Sequence, residues 1–351
     1  MPMRTFAIRV CAVAVLSFAV AEDPAQAQSG APGTAASFVT ADRCIACHSN
    51  IHARSGEDVS IGYAWRASMM ANSARDPYWF AAVRREVIDH PLARAAIEDK
   101  CATCHMPMAR YIAAQEGGSG EVFANMFTGA GDDESGLTAL ARDGVSCTVC
   151  HQITEHAFGE EESFTGGFEI AASSGSDGGW QVFGPHDVDA GRVALMRSAS
   201  TAQPAQAGHL ARSELCATCH TLYTHALDEN GREVGELAEQ VPYLEWRHSG
   251  FRETTSCQDC HMPELTEPTP ISSVLGEPRP QFSQHVFRGG NAFMLGVLNK
   301  YRAELGVTAP PQELAAVIRR TREYLGSEAA SIELAGVRRV GSELSFDVTL
   351  A

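Results

Sequence analysis

One five-residue pattern recurs along the chain: CIACH from Cys44 to His48, CATCH from Cys101 to His105, CTVCH from Cys147 to His151, CATCH from Cys216 to His220 and CQDCH from Cys257 to His261. Of the 11 cysteines only Cys11 stands outside it. Two thiols separated by two residues sit one short turn apart and can add across the two vinyl groups of a haem. The histidine that follows then lies under the iron as its proximal ligand. The attachment residues are thus Cys44, Cys47, Cys101, Cys104, Cys147, Cys150, Cys216, Cys219, Cys257 and Cys260, and the proximal ligands His48, His105, His151, His220 and His261. Paired cysteines also build tetrahedral zinc sites, and an exported chain can pair them as disulfides. Neither use requires a histidine after every second cysteine, so the spacing predicts five covalently attached haem c groups, each with its iron.

Eight further histidines remain of the 13: His52, His90, His156, His186, His209, His225, His248 and His285. A distal ligand approaches from the opposite side of a broad porphyrin, so residues close behind a proximal histidine rarely reach over their own ring. That disfavours His52, His156 and His225 for the haem each follows. It also assigns Met106, Met108 and Met262, in the turns just after motifs, to soft packing against porphyrin. The distal candidates are His90, His186, His209 and His285. His90 closes a helical stretch opened by Asp76 as cap and Pro77 in the first turn, His186 sits in FGPHD, His209 precedes Cys216, and His285 lies in QFSQHVFRGGN. His248, in the amphipathic stretch EWRHSGF, is intermediate.

The stretches AWRASMMANSARDPYW, CATCHMPMAR, GVSCTVCHQI, ELCATCHTLYT, VPYLEWRHSGF, CQDCHMP and HVFRGGNAFMLGVLNKYRAELGV cover most of residues 42 to 306. In combination the chain resembles the multihaem cytochromes of the cytochrome c-554 type and their larger pentahaem relatives. The resemblance implies a distal histidine in a W-x-x-S-x-H-A pattern, where this chain has Trp65, Ser68, Met70 and Ala71. A thioether from Met70, or from adjacent Met69, is the natural replacement, and it would raise that haem's potential. The other reading places both methionines in the core. Met70, His90, His186, His209 and His285 then give five distal candidates for five irons, which implies saturated, low-spin haems.

The elements that must position these groups are short. Residues 1–27 carry Arg4 and Arg9, an apolar run from Val10 to Ala21 and small-residue cleavage sites, and read as a secretory signal peptide. Residues 28–41 read as a disordered linker, 42–308 as a pentahaem cytochrome domain and 309–351 as a C-terminal helix and β-hairpin. The expected fold is mainly α, with extensive irregular loops wrapped around the haems and no long strand before residue 306. A helix is predicted from Asn291 to Leu305, burying Met294, Leu295, Leu298 and Tyr301 and stopped by Gly306, and another from Pro310 to Leu325, ended by Gly326. Ser331 to Val337 and Glu343 to Leu350 alternate as two strands joined near Gly341. A lone hairpin is marginal in water, and the resemblance implies a β-rich C-terminal region, so the expectation is an incomplete β-rich domain, from a truncated product or fragment, or a hairpin that pairs elsewhere.

After the leader no stretch offers the roughly 20 apolar residues of a membrane helix. A formal net charge of -16 argues against nucleic acid and suits basic or carefully docked redox partners. The expected function is electron transfer in the periplasm or at the cell surface, with redox proteins such as a membrane quinol oxidoreductase or an outer-membrane conduit as partners. Arg110, Arg212 and Arg288 are candidate partners for haem propionates. The alternative is a redox enzyme acting on a small nitrogen or sulfur compound at one open-sited haem, with His52 or His248 as proton donor. A structural haem subunit of a filament is a third class.

Overall fold

The computed structural model describes residues 38–127, 136–172 and 179–351. The expected signal peptide and residues 28–37 of the linker lie outside the described residues.

Among the described residues, ten short α-helices and four strands precede the fifth motif. In chain order they are α1 Asp42–Ile45, α2 Ile61–Arg66, α3 Pro77–Asp89, α4 Arg94–His105, α5 Pro107–Gln115, α6 Gly136–Arg142, α7 Cys147–Cys150, β1 Trp180–Gly184, α8 Ala190–Ser200, β2 Ala202–Gln206, α9 Ser213–Ala217, β3 Leu222–Leu227, β4 Glu233–Gln240 and α10 Pro242–Arg247. Then follow α11 Cys257–His261, four two-residue strands (β5 Glu264–Leu265, β6 Thr269–Pro270, β7 Pro278–Arg279, β8 Phe282–Ser283), α12 Ala292–Lys300, α13 Pro311–Ser327, β9 Ile332–Val340 and β10 Glu343–Leu350. The architecture is mixed helix and strand with small sheets, each of two strands.

The longer helices follow their signals. Asp76 caps α3 by accepting from the Tyr78 N–H at 2.8 Å and the Trp79 N–H at 3.4 Å, and Pro77 fills the first position, where no donor is needed. The helix stops at His90, before Pro91. Trp79 and Val83 of α3 bury against Ala102 and Met106 at the end of α4, Ala109 of α5 and Val122. A second cluster joins Met108, Val149, Ile153, Phe168 and Ile170. A third, of Leu295, Leu298, Val307, Ala309, Leu314 and Val317, packs α12 on α13 and takes Met69 at its edge.

Three expectations need correction. Strands do occur before residue 306: β3 pairs antiparallel with β4, and β1 pairs parallel with β2. The helix from residue 291 ends at Lys300 instead of Leu305, because residues 301–306 fold into turns closed by Val307 N–H on the Arg302 carbonyl, and Tyr301 is exposed. Helix α13 runs through Gly326 to Ser327. The C-terminal hairpin turns at Gly341, whose φ is 62°, and every residue of β9 and β10 is exposed.

Two glycines allow close approach. Gly144 has φ of +65°, and a Cβ there would lie 2.9 Å from the Met70 carbonyl oxygen and 2.8 Å from that of Ala71. It lets the GVSCTVCH segment lie against the turn after α2, where the Val145 N–H bonds the Met70 carbonyl. Gly62 in α2 similarly sits on Ile45 of the first motif, 2.6 Å from its Cγ1 if a Cβ were present.

Candidate functional site

Each cysteine pair lies on, or just beyond, one helical turn: on α1 and its C-terminal extension, at the end of α4, on α7, on α9 and its extension, and on α11. None of these ten cysteines is paired in a disulfide; nine are half-buried and Cys260 is exposed. The motifs also abut. The Cys44 thiol neighbours that of Cys147, Cys104 neighbours Cys219, and Cys216 neighbours Cys257. Motif one therefore lies beside motif three, and motif four touches both two and five. Burial pushes the Cys101 and Cys150 thiols up to about 12, so both are neutral.

The histidines carry the more specific geometry. Nδ1 of His48 lies 2.7 Å from the Ile271 carbonyl oxygen, Nδ1 of His105 is 3.0 Å from that of Ser73, Nδ1 of His151 is 2.7 Å from that of Phe183, and Nδ1 of His261 is 2.5 Å from that of Arg288. A carbonyl only accepts, so each Nδ1 donates and Nε2 keeps the lone pair. That is the tautomer a metal-ligating imidazole needs. Burial also lowers the pKa of His48, His105 and His151, which favours the neutral ring. Trp79 stacks on the His105 ring with centres 4.2 Å apart and planes 2° apart, fixing its plane. No such Nδ1 bond holds His220 among the described residues.

The distal candidates divide. His285 is near-parallel to His151, with ring centres 6.2 Å apart and 13° between planes, and its Nδ1 lies 3.1 Å from the Ser283 carbonyl oxygen. Burial, with His151 nearby, holds its pKa down to about 3. His90 caps the end of α3, and its buried Nδ1 has no hydrogen-bond partner among the described residues. His209 is buried between Phe158 and Phe183, and its Nε2 lies 2.8 Å from the Ile153 carbonyl oxygen. That nitrogen is occupied, so only Nδ1 of His209 is left for a metal. His186 is half-buried in the loop after β1 near Arg279, and burial lowers its pKa. Met70 is half-buried in the turn that also supplies the Ser73 carbonyl to His105, whereas Met69 packs in the α12–α13 cluster.

His52, His156, His225 and His248 are exposed. Met106 and Met108 are fully buried among protein side chains, Met108 accepting a hydrogen bond from Thr148 at 3.2 Å. The three singled-out arginines each meet a carboxylate of the chain: Arg110 binds Asp99 through two nitrogens at 3.2 and 3.0 Å, Arg212 lies 3.3 Å from Glu155, and Arg288 lies 3.2 Å from Glu328.

Among the described residues no three His, Cys, Asp or Glu side chains converge as a protein-built metal site would need. A porphyrin fills four of the six positions on its iron, so paired thiols with one or two imidazoles are the donors a haem c would take from the chain. The orphaned Nδ1 of His90 fits the same demand. No helix among the described residues is long and apolar enough to cross a membrane. Comparison with protein-family models, curated proteins and solved structures finds no match.

Proposed function

We propose that the chain is an exported multihaem c-type cytochrome that transfers electrons through five covalently attached haems. When bound, each haem supplies an iron that changes oxidation state by one electron. The ten motif cysteines would hold the five groups by thioether bonds, and His48, His105, His151, His220 and His261 would hold the irons. His285, His90, His186, His209 and Met70 are the proposed distal set. The observation that carries this reading is the Nδ1–carbonyl bond at four of the five motif histidines. It fixes each ring with Nε2 free at the histidine position of the repeated pattern.

The contacts between motifs support transfer over direct catalysis. Three thiol pairs bring neighbouring attachment points together, which keeps the sites close enough for exchange within one chain. The proposed location is the periplasm or the cell surface, and the proposed partners are redox proteins.

Intact-mass measurement of the exported protein tests the reading. Five added porphyrins are expected; none, or zinc in their place, overturns it. Low-temperature electron paramagnetic resonance of the oxidised protein then separates conduit from enzyme. Low-spin signals alone fit transfer, and a high-spin signal identifies an iron open to a small substrate.

A further inference from the structure

Resting on the haem reading above, we infer that His151 and His285 are the two axial ligands of one iron, so that the third motif's haem is bis-histidine and its distal ligand comes from 134 residues further along the chain. The 13° angle shows that the two imidazole planes are nearly parallel, yet their centres stand 6.2 Å apart. Five-membered rings cannot overlap at that separation, in contrast to Trp79 on His105 at 4.2 Å. Two imidazoles bonded trans to one metal at about 2 Å each place their ring centres about 6 Å apart, once roughly 1 Å from nitrogen to ring centre is added on each side. The observed spacing is that of a metal-bridged pair.

The hydrogen bonds give the same polarity to both rings. Nδ1 of His151 donates to the Phe183 carbonyl at 2.7 Å, and Nδ1 of His285 donates to the Ser283 carbonyl at 3.1 Å. Each ring therefore has Nε2 left with its lone pair. Phe287 packs edge-on against His285 with ring centres 5.9 Å apart and planes 88° apart, which restricts rotation of the imidazole. The short strand pair β5–β8 and the bond from Gln284 N–H to the Pro263 carbonyl fix the backbone on which His285 sits. The other four distal candidates show no comparable pairing with a motif histidine among the described residues.

The test uses the full matured protein. His285→Gly should keep five haems by mass, convert one low-spin signal to high-spin, and recover it with added imidazole. Cys147→Ala with Cys150→Ala should remove one haem and that same signal, and adding His285→Gly to this variant should remove no further low-spin signal. The pairing is overturned if His285→Gly leaves all signals unchanged, or if the combined variant loses two different ones. Should the cysteine variants fail to accumulate, His285→Met provides a second readout: one methionine–iron charge-transfer band and one raised potential, whose absence also overturns ligation by His285. Haem-free wild-type protein would sink the underlying reading, whereas five haems with an unmoved spectrum would sink only the pairing.

Discussion

Asp143 shows how one half-buried side chain couples the motif array to pH. Its carboxylate accepts the Ala41 N–H at 2.8 Å, tying the segment before the first motif to the segment before the third. Burial outweighs this bond and the nearby Arg75 charge, and raises its pKa to about 6. Because the folded value lies above the unfolded one, the folded chain keeps a proton that the unfolded chain has lost between about pH 4 and 6. The contribution is fully present below that window and is lost as pH rises through it, by about 3 kcal/mol, with no further change above. Asp143→Asn retains an acceptor for Ala41 and should abolish this dependence. Denaturant midpoints of the two proteins at pH 4 and pH 7 measure it: their difference should change across the window, and parallel profiles would refute the role.

At the scale of elements, helix α4 is held by carboxylates on its outer turns, not by apolar packing alone. Glu98 accepts the Val122 and Phe123 N–H groups at 2.9 and 3.2 Å as well as Arg94 at 2.7 Å, and its side chain is 8% exposed. Glu98→Ala would leave two backbone donors without a partner, the Val122 one fully enclosed, at a cost of about 2 to 4 kcal/mol. Glu98→Gln, which can still accept, should lose about half as much. Equilibrium unfolding gives the magnitude, and faster hydrogen exchange at Val122 gives the location; an unchanged midpoint in Glu98→Ala would contradict the assignment. This tether was not legible in the sequence, since a Glu in a helix is ordinarily solvated. Helix α3 was legible, because Asp76-Pro77 opens it and His90-Pro91 closes it. So was the last hairpin, whose alternation survives in β9 and β10. The pairs β1–β2 and β3–β4 were not: Pro204 lies within β2, and EVGELAEQ in β4 has little of the β-branched character that marks strands. The thiols and motif histidines could be read from spacing alone. Their supports could not, because Ser73, Phe183, Ile271 and Arg288 act through backbone carbonyls that every residue type possesses. Trp79 was visible only as an aromatic residue in a helix until its stacking on His105 was seen.

At the scale of the whole molecule, the buried apolar side chains among the described residues fall into six clusters, the largest with eight members. Small separate clusters bury little apolar surface against the chain entropy, and on the proposed reading the haems would add apolar surface between them. A chain with all ten motif cysteines changed to serine should melt over a broad, non-cooperative range by circular dichroism; a sharp transition like that of the matured protein would show that the polypeptide needs no cofactor to fold. The surface makes a separate demand on partners. With a formal net charge of -16, the protein attracts cations and repels anions at distances of about one Debye length, roughly 10 Å at 0.1 M salt. Reduction by a small cationic metal complex should therefore slow on the order of tenfold between about 10 mM and 500 mM salt, and reduction by an anionic complex of similar potential should accelerate over the same range. Stopped-flow absorbance in the haem band measures both. If the two reagents respond in the same direction, electrons enter where local charge departs from the acidic average, and the partner surface must be sought at a basic patch instead.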